Sequence, residues 1–253
     1  MSEHVRIEPD GGVLAITLAR PERRNAITTA MYAALAEALE QAREDAAIRV
    51  VTFRGEGRDF AAGNDLADFL DASARDGADI PVWRFLRALV ACETPIVAAV
   101  QGNCVGIGTT MLLHCDLVIA EDGTRFSLPF VDLGLVPEAA SSLLLPRLAG
   151  RRLAARYLLL CEPFGVDEAE AIGLVSHRAG TGELDARMDD VVRSLLAKPA
   201  EALRETQRLL RLGSKDEVSD RMLAESTIFA QRLQSKEAEA AINGFFEKRS
   251  ARG

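Results

Sequence analysis

The chain has 253 residues, enough to bury a full hydrophobic core as one large domain or to divide into two smaller ones. Hydrophobic residues make up 48% of the chain and charged residues 27%, which are ordinary values for a soluble protein. The formal net charge of −8 argues against a nucleic-acid groove, because such grooves usually carry a basic surface. A small anionic ligand remains compatible with this charge, since a local arginine cluster can bind it.

The cysteines and the N-terminus indicate a reducing compartment. The four cysteines form no CxxC pair, have no His–Cys ligand spacing and lie among apolar residues, so we expect buried free thiols. The N-terminal residues lack the apolar segment of a secretory signal, and no segment reaches the ~18 uninterrupted apolar residues of a membrane span. We therefore expect a cytoplasmic protein that binds neither membrane nor nucleic acid.

The first part of the chain alternates strand and helix patterns. Apolar runs at 5–7 and 13–18 flank a glycine turn and predict a hairpin, and Thr28 or Thr29 caps a predicted helix that ends near residue 46. Residues 49–54 predict the next strand. Residues 67–80 are polar with little apolar periodicity, and we interpret them as a mobile covering segment. Between hairpin and helix, the basic loop 20–25 is either a solvated connection or a phosphate clamp.

The second part continues the alternation and then becomes helical. A helix around 83–90 leads to a buried strand at 95–100, a glycine-rich turn at 102–108 and a second buried run at 115–120. This order predicts an α/β fold. Beyond Glu138 we expect helices at 143–148, 151–160 and 167–173 and a last strand at 174–178. The chain is helical from residue 183 onward, with breaks at Pro199 and Gly213. We predict a core of residues 1–195 and a helical oligomerisation region of residues 196–253.

The stretch from Thr94 to Glu138 carries the chemistry. Glycines that directly follow a buried strand leave backbone N–H groups uncovered, and such groups favour negative charge. Glu138 is a lone carboxylate in an apolar neighbourhood. An oxyanion-binding turn and one carboxylate are sufficient to move a proton next to a carbonyl. The alternative is that Glu138 is an exposed glutamate at a helix start, favoured there by the helix dipole.

Other chemistries lack support in the sequence. None of the three histidines lies in a GxSxG elbow or in HExxH spacing, which argues against nucleophilic hydrolysis and zinc catalysis. His114 lies inside an apolar run and is expected to be a hydrogen-bonded core residue. The glycine turn at 102–108 comes about a hundred residues too late for a dinucleotide-binding loop, and Asp116 and Glu121 follow it too closely.

Five motifs, in family order along nearly the whole chain, resemble the crotonase superfamily, which includes enoyl-CoA hydratases and isomerases. They are Arg20-Pro21-x-x-x-Asn25-Ala26, residues 60–66, residues 95–102, Cys115-Asp116 and Ala171-x-Gly173-Leu174-Val175. The resemblance implies a crotonase-like spiral of ββα units with a C-terminal helical trimerisation region. It also implies an acyl-CoA thioester substrate and a homotrimer or dimer of trimers. Coenzyme A would enter as part of the substrate, with no separate cofactor and no metal.

The resemblance also implies roles for particular residues. The backbone amides of Asn64 and Ile107 would bind the thioester oxygen, Arg23 and Arg24 would contact the phosphates of coenzyme A, and Ala62 would lie near its adenine-bearing end. The remaining residues expected to bind substrate are Asp65, Leu66, Gly106, Thr110 and Phe130. Trp83, Phe85, Leu112 and Phe130 are expected to line the acyl pocket.

The departures from the family pattern favour one subclass. Hydratases of the family carry two glutamates at the positions of Thr110 and Phe130. General acid–base catalysis is worth roughly 10²–10⁴-fold per step, so hydration should be slow here. Glu138 lies instead in a Pro-Glu-x-x-Ser-Ser context similar to that of the single-glutamate Δ3,Δ2-enoyl-CoA isomerases. The resemblance implies that Glu138 moves a proton from C2 to C4 through a dienolate, and burial would raise its pKa.

Three alternatives remain open at this point. They are isomerisation of an aromatic or epoxide-derived acyl-CoA, hydration of an enoyl-CoA, and binding of CoA esters without catalysis.

Overall fold

The computed structural model describes residues 2–76 and 81–250. Its strands are β1 (Val5–Asp10), β2 (Val13–Leu18), β3 (Val50–Gly55), β4 (Ile96–Val100), β5 (Asn103–Val105), β6 (Leu117–Glu121), β7 (Arg125–Ser127), β8 (Phe164–Gly165) and β9 (His177–Ala179). Its α-helices are α1 (Thr29–Glu44), α2 (Leu66–Asp76), α3 (Pro81–Ala91), α4 (Ile107–Thr110), α5 (Ser141–Leu159), α6 (Val166–Ala171), α7 (Leu184–Leu196), α8 (Ala200–Leu212), α9 (Lys215–Leu233) and α10 (Lys236–Ser250). Short 3₁₀ helices cover Pro21–Arg23, Met111–His114 and Val131–Leu133.

Two sheets stand at the centre of the fold. The larger has the strand order β1-β2-β3-β4-β6-β9, in which the β1–β2 hairpin is antiparallel and every later pairing is parallel. The smaller has the order β5-β7-β8. The buried apolar runs predicted as strands occupy the middle of the larger sheet, where both faces are covered, as is usual for parallel strands. The predicted α/β fold with helices gathered at the C-terminal end is confirmed.

Helices α1 and α3 pack together over one face of the sheet. The side-chain oxygen of Thr28 accepts a hydrogen bond from the amide of Met31 at 3.3 Å, so Thr28 caps α1 as predicted. Apolar residues at helical spacing turn inward from α1. The rings of Tyr32 and Phe85 lie 5.5 Å apart between the two helices. This layer supports the segments that carry the glycine turns.

The segment at 67–80, predicted to be a mobile cover, is helical in the part that the structure describes. Residues 66–76 form helix α2, and residues 77–80 lie outside the described residues. The carbonyl of Asp65 accepts the amide of Phe69 at 2.8 Å, which starts the helix. The buried ring of Phe69 meets Phe229 of α9 edge-on at a centroid distance of 5.9 Å. This contact with a distant helix stabilises the segment. Leu66, Phe69 and Leu70 also have the i, i+3, i+4 spacing of one helix face, a short pattern that the sequence reasoning missed.

The C-terminal helices follow the predicted breaks. Pro199 is the N-cap of α8 and Gly213 its C-cap, and Gly150 has non-helical backbone angles that divide α5 as expected. The last strand, β9, begins later than predicted, because the amides of Leu174 and Val175 bond instead to the carbonyl of Ala169. Across the described part of the chain, we find no helix with both the length and the apolar character needed to span a bilayer.

Candidate active site

The two glycine turns lie side by side. Ala61 and Cys104 form a parallel bridge, in which the amide of Ala61 donates to the carbonyl of Asn103 at 3.1 Å and the amide of Val105 donates to the carbonyl of Ala61 at 2.9 Å. The two segments run in the same direction, so their ends reach the same edge of the structure. Asn64 and Ile107 follow these ends directly, one from each turn.

Glycine is required where the turns approach each other. Gly63 has a φ of +89°, and a Cβ there would lie 3.0 Å from the carbonyl oxygen of Val105. Gly108 has helical angles, but a Cβ at Gly108 would lie 2.9 Å from both the Cβ and the carbonyl oxygen of Ala61. Larger residues would therefore push the two turns apart.

The amides of Asn64 and Ile107 remain available to a ligand. Their neighbours are bonded: the carbonyl of Gly63 accepts from Ile27 at 2.8 Å, and the carbonyl of Gly106 accepts from Thr109 and Thr110, each at 2.9 Å. Within residues 2–76 and 81–250, neither Asn64 N–H nor Ile107 N–H has a hydrogen-bond acceptor. Two unpaired backbone donors on adjacent turns are the arrangement that can stabilise an oxyanion.

Glu138 is buried beside this pair of turns. Its residue is only 4% exposed, and its Oε1 accepts a hydrogen bond from the hydroxyl of Thr110, a residue of helix α4. The pKa of Glu138 is raised from 4.5 to about 8: burial is the main cause, the hydrogen bond from Thr110 opposes it, and the charge of Glu225 adds to it. The interpretation of Glu138 as an exposed glutamate at a helix start is therefore wrong, because the residue is buried and precedes the first residue of α5.

Helix α4 links the two halves of the site. Its first residue, Ile107, supplies one unpaired amide, and its last, Thr110, donates to Glu138. A single turn of helix thus connects the carboxylate to one of the two unpaired amides.

Tyr32 is a site residue that the sequence reasoning missed. Its buried hydroxyl donates a hydrogen bond to Oδ1 of Asn64, next to the unpaired Asn64 amide. Burial raises the pKa of Tyr32 well above its ordinary value, and the charge of Glu138 adds to this effect, so the phenol stays protonated. The available signal was a tyrosine beside the apolar stripe of α1, because a buried tyrosine hydroxyl needs a partner.

Comparison with known proteins decides the family. A family model described as "Enoyl-CoA hydratase/isomerase" matches residues 8–252. The chain belongs to the enoyl-CoA hydratase/isomerase family. This confirms the resemblance to the crotonase superfamily and, with it, the crotonase-like fold.

Individual relatives of this family cover most of the chain. Enoyl-CoA delta isomerase 2 of Rattus norvegicus is 32% identical over 254 residues, covering 98% of this chain and 64% of the rat protein, so the chain spans just under two thirds of that relative. The 1,2-epoxyphenylacetyl-CoA isomerase of Escherichia coli (strain K12) is 31% identical over 99% of this chain and 98% of its own length. The crystal structure of an enoyl-CoA hydratase/isomerase from Pseudoalteromonas atlantica T6c is 40% identical, with a TM-score of 0.92, and the match covers 97% of this chain and 98% of that one.

In this family member, the residues predicted to contact coenzyme A lie along the first glycine turn. The amide of Ala62 donates to the carbonyl of Arg24 at 2.9 Å, which places the basic loop against that turn. The Arg24 side chain is 65% exposed, and Arg23 is also exposed. Both guanidinium groups can therefore reach an anion in solvent.

Asp65 makes contacts within the protein. Its carboxylate accepts a hydrogen bond from Arg20 at 2.7 Å, and its other oxygen accepts from the amide of Asp68 in the first turn of α2. Burial pushes the pKa of Asp65 upward, but the hydrogen bonds from Arg20 and the backbone outweigh it, so the pKa is lowered. The carboxylate orients this segment, and Leu66 begins α2 directly after it.

The apolar residues predicted near the acyl chain differ in burial. Phe85, Leu112 and Phe130 are buried, whereas Trp83 is partly buried and meets Phe229 of α9 edge-on at a centroid distance of 6.2 Å. Gly106 is the N-cap of α4, with a φ of +55°, and nothing lies within 4 Å of the position that a Cβ would take there. Through the contact between Trp83 and Phe229, helix α9 packs against α3 beside these apolar residues.

His114 is a core residue, as expected. Its Nε2 lies 2.7 Å from the carbonyl oxygen of Ala139, and burial lowers its pKa to about 4. The imidazole is therefore neutral at pH 7 and donates Nε2–H to that carbonyl. Over the described part of the chain, no group of three or more His, Cys, Asp or Glu side chains could hold a metal ion.

Proposed function

We propose that the protein is a Δ3,Δ2-enoyl-CoA isomerase in which Glu138 acts as both base and acid. The observation that carries this proposal is the hydrogen bond from Thr110 to Glu138. At the position of a hydratase glutamate, this chain places a hydroxyl that donates to Glu138, and the same helical turn begins with the unpaired amide of Ile107. A single carboxylate is sufficient for a double-bond shift, whereas hydration needs one group to activate water and another to protonate carbon.

The proposed reaction begins with transfer of the C2 proton of a 3-enoyl-CoA to Glu138. The C2–H electron pair moves toward the thioester carbonyl, and the oxygen of the resulting dienolate accepts hydrogen bonds from the amides of Asn64 and Ile107. Glu138 then returns the proton to C4, the double bond forms between C2 and C3, and the carboxylate is regenerated. A pKa near 8 suits a group that must accept a proton and give it back at neutral pH.

The site supports substrate binding by the basic loop. In this proposal, Arg23 and Arg24 contact the phosphates of coenzyme A, while Ala62 and Leu66 lie against its adenine-bearing end and pantetheine. Exposure of both guanidinium groups and the hydrogen bond between Ala62 and Arg24 support this placement. Coenzyme A enters as part of the thioester, and the proposed steps need no further cofactor.

A second candidate is the isomerisation of an aromatic or ring-epoxide acyl-CoA. The full-length similarity to the Escherichia coli isomerase favours it. This reaction would use the same oxyanion donors, but it would require an acyl pocket shaped for a ring and not for a linear chain. Hydration of an enoyl-CoA and binding of CoA esters without turnover are the other candidate functions.

A substrate panel tests these candidates against each other. The protein is incubated with 2-enoyl-, 3-enoyl- and ring-epoxide CoA esters, and the products are analysed by mass and by position of the double bond. We expect 3-enoyl-CoA to give 2-enoyl-CoA without a change in mass. Addition of water to crotonyl-CoA would support hydratase activity, and turnover of the ring-epoxide ester alone would support the second candidate. Binding of every ester without turnover would leave a non-catalytic relative.

We also propose a homotrimer or a dimer of trimers built on the helical region of residues 196–253. Three leucines of α8 are largely exposed in the single chain: Leu209 at 61%, Leu210 at 74% and Leu212 at 63%. Apolar side chains clustered on one helix favour burial against another subunit. Light scattering after size-exclusion chromatography measures the mass, and a monomer would contradict this proposal.

A further inference from the structure

The turn that carries Glu138 has an unusual backbone. Ala139 and Ala140, the two residues after Glu138, both have left-handed angles, with φ of +57° and +54°. A left-handed residue other than glycine costs on the order of 1–2 kcal/mol. Two in succession persist only when surrounding contacts stabilise them.

Glu225 of helix α9 supplies such contacts. One carboxylate oxygen of Glu225 accepts the amide of Ala140 at 2.6 Å, and the other accepts the amide of Ser142 at 3.0 Å. Glu225 is only 6% exposed. Its carboxylate therefore caps the start of α5 from a helix more than eighty residues further along the chain.

Two further contacts fix the same turn from other sides. The Nε2–H of His114 donates to the carbonyl of Ala139 at 2.7 Å. The hydroxyl of Ser141 donates to the carbonyl of Glu138 itself at 2.6 Å. The backbone on both sides of Glu138 is thus held by side chains from three parts of the fold.

We propose that Glu225 is a positioning residue for Glu138: it holds the left-handed turn that directs the Glu138 carboxylate into the site, and it places a second negative charge nearby. This inference rests on the proposed function, in which Glu138 is the acid and base. Both oxygens of Glu225 are occupied by backbone amides, so Glu225 acts through Glu138 and does not touch substrate.

A carboxylate suits this position better than its amide. Two N–H donors converge on Glu225, one on each oxygen, and a glutamine offers only one acceptor oxygen. The negative charge also acts on Glu138, because a nearby like charge disfavours ionisation of a carboxyl.

Other polar groups near the pair modify this effect. Arg221, on the same helix as Glu225, donates to the hydroxyl of Ser142 at 3.1 Å and lowers the pKa of Glu225, although burial raises that pKa overall. Thr110 and Tyr32 face Glu138, and neutral His114 lies behind Ala139. Loss of the Glu225 charge, taken by itself, makes Glu138 easier to ionise.

The first test is the kinetics of Glu225→Gln with a 3-enoyl-CoA substrate. We expect kcat to fall about 10- to 100-fold, since displacement of a catalytic group by about 1 Å can cost 10²-fold. We expect KM to stay within about twofold, and the acidic limb of the pH profile to move to lower pH. The matched control is Glu217→Gln on the same helix, where an exposed carboxylate pairs with Arg147 and accepts neither amide of the turn. It should change none of these quantities.

The second test does not depend on activity. In protein labelled with ¹³C at the glutamate carboxyl carbons, the Glu138 resonance is assigned by its loss in Glu138→Gln and is titrated by NMR. The pKa of Glu138 should be lower in Glu225→Gln than in wild type. An equal pKa in the two proteins, or an unchanged kcat in a folded Glu225→Gln variant, would overturn the inference. A wild-type enzyme that fails to isomerise any 3-enoyl-CoA would overturn the proposed function instead, while the titration would still decide the role of Glu225.

Discussion

The hydroxyl of Thr110 donates a hydrogen bond to Oε1 of Glu138, and both side chains are buried. The donor stabilises the ionised carboxylate, whereas burial and the charge of Glu225 favour the protonated form. The balance of these effects determines the pH at which Glu138 can accept a proton.

Replacement of Thr110 by valine should therefore move the activity to higher pH. Loss of the hydroxyl removes the contribution that lowers the pKa of Glu138, so its pKa rises above about 8 and the acidic limb of kcat/KM for 3-enoyl-CoA shifts upward. Thr110→Ser keeps the donor and should keep the profile. Thr109→Val is the matched control, because the Thr109 hydroxyl donates to the carbonyl of Cys104 and not to Glu138. A profile that is unchanged in Thr110→Val would contradict this assignment.

Replacement of Glu138 by glutamine should abolish isomerisation and stabilise the fold above pH 5. The pKa of Glu138 is about 8 in the folded protein and near 4.5 when the chain is unfolded, so between these values the unfolded chain has lost a proton that the folded chain keeps. The free energy of unfolding falls as pH rises through this window, by about 1.4 kcal/mol at most for each pH unit. Glutamine removes this penalty. Thermal unfolding should show a larger gain in Tm at pH 8 than at pH 5; an equal gain at both would show that the carboxyl does not titrate in this range.

Replacement of Gly108 by alanine should separate the two glycine turns. The new Cβ would lie 2.9 Å from the Cβ and carbonyl oxygen of Ala61, and backbone cannot move aside cheaply. We expect kcat/KM to fall about 10²-fold through displacement of the oxyanion donors, with about 1–3 kcal/mol of lost stability. Gly244→Ala in α10 is the matched control, since nothing lies within 4 Å of its Cβ position. Equal kinetics in the two variants would argue against an oxyanion site at these turns.

Replacement of Tyr32 by phenylalanine should weaken the oxyanion site while leaving the fold intact. The variant keeps the ring that packs on Phe85 and removes the hydroxyl that holds the side chain of Asn64. The acceptor Oδ1 of Asn64 is partly buried, and a lost hydrogen bond that leaves such an acceptor unpaired costs about 1 kcal/mol or more, so we expect kcat to fall about 10-fold. Tyr157→Phe is the matched control, because the Tyr157 hydroxyl donates to Glu168 and not to Asn64, and it should have no effect on kcat. If Tyr32→Phe has wild-type kcat, Tyr32 has only a packing role.

Local sequence determined a large part of this protein. The alternating apolar runs predicted the strands and helices of the α/β core. Pro199 and Gly213 marked the ends of α8, and the glycines at 63 and 106 marked the two turns whose amides are unpaired. These features follow from backbone geometry and side-chain periodicity, which are properties of neighbouring residues.

Tertiary structure decided the rest. The sequence left Glu138 either exposed at a helix start or buried in a site, and only the packing of α4 and α9 around it shows that it is buried. Tyr32 and Glu225 reach the site from helices far apart in the chain, and Phe229 contacts Phe69 of α2. The reason is physical: burial, pKa and hydrogen-bond partners depend on which distant groups are in contact in the fold, and local sequence does not show which groups these are.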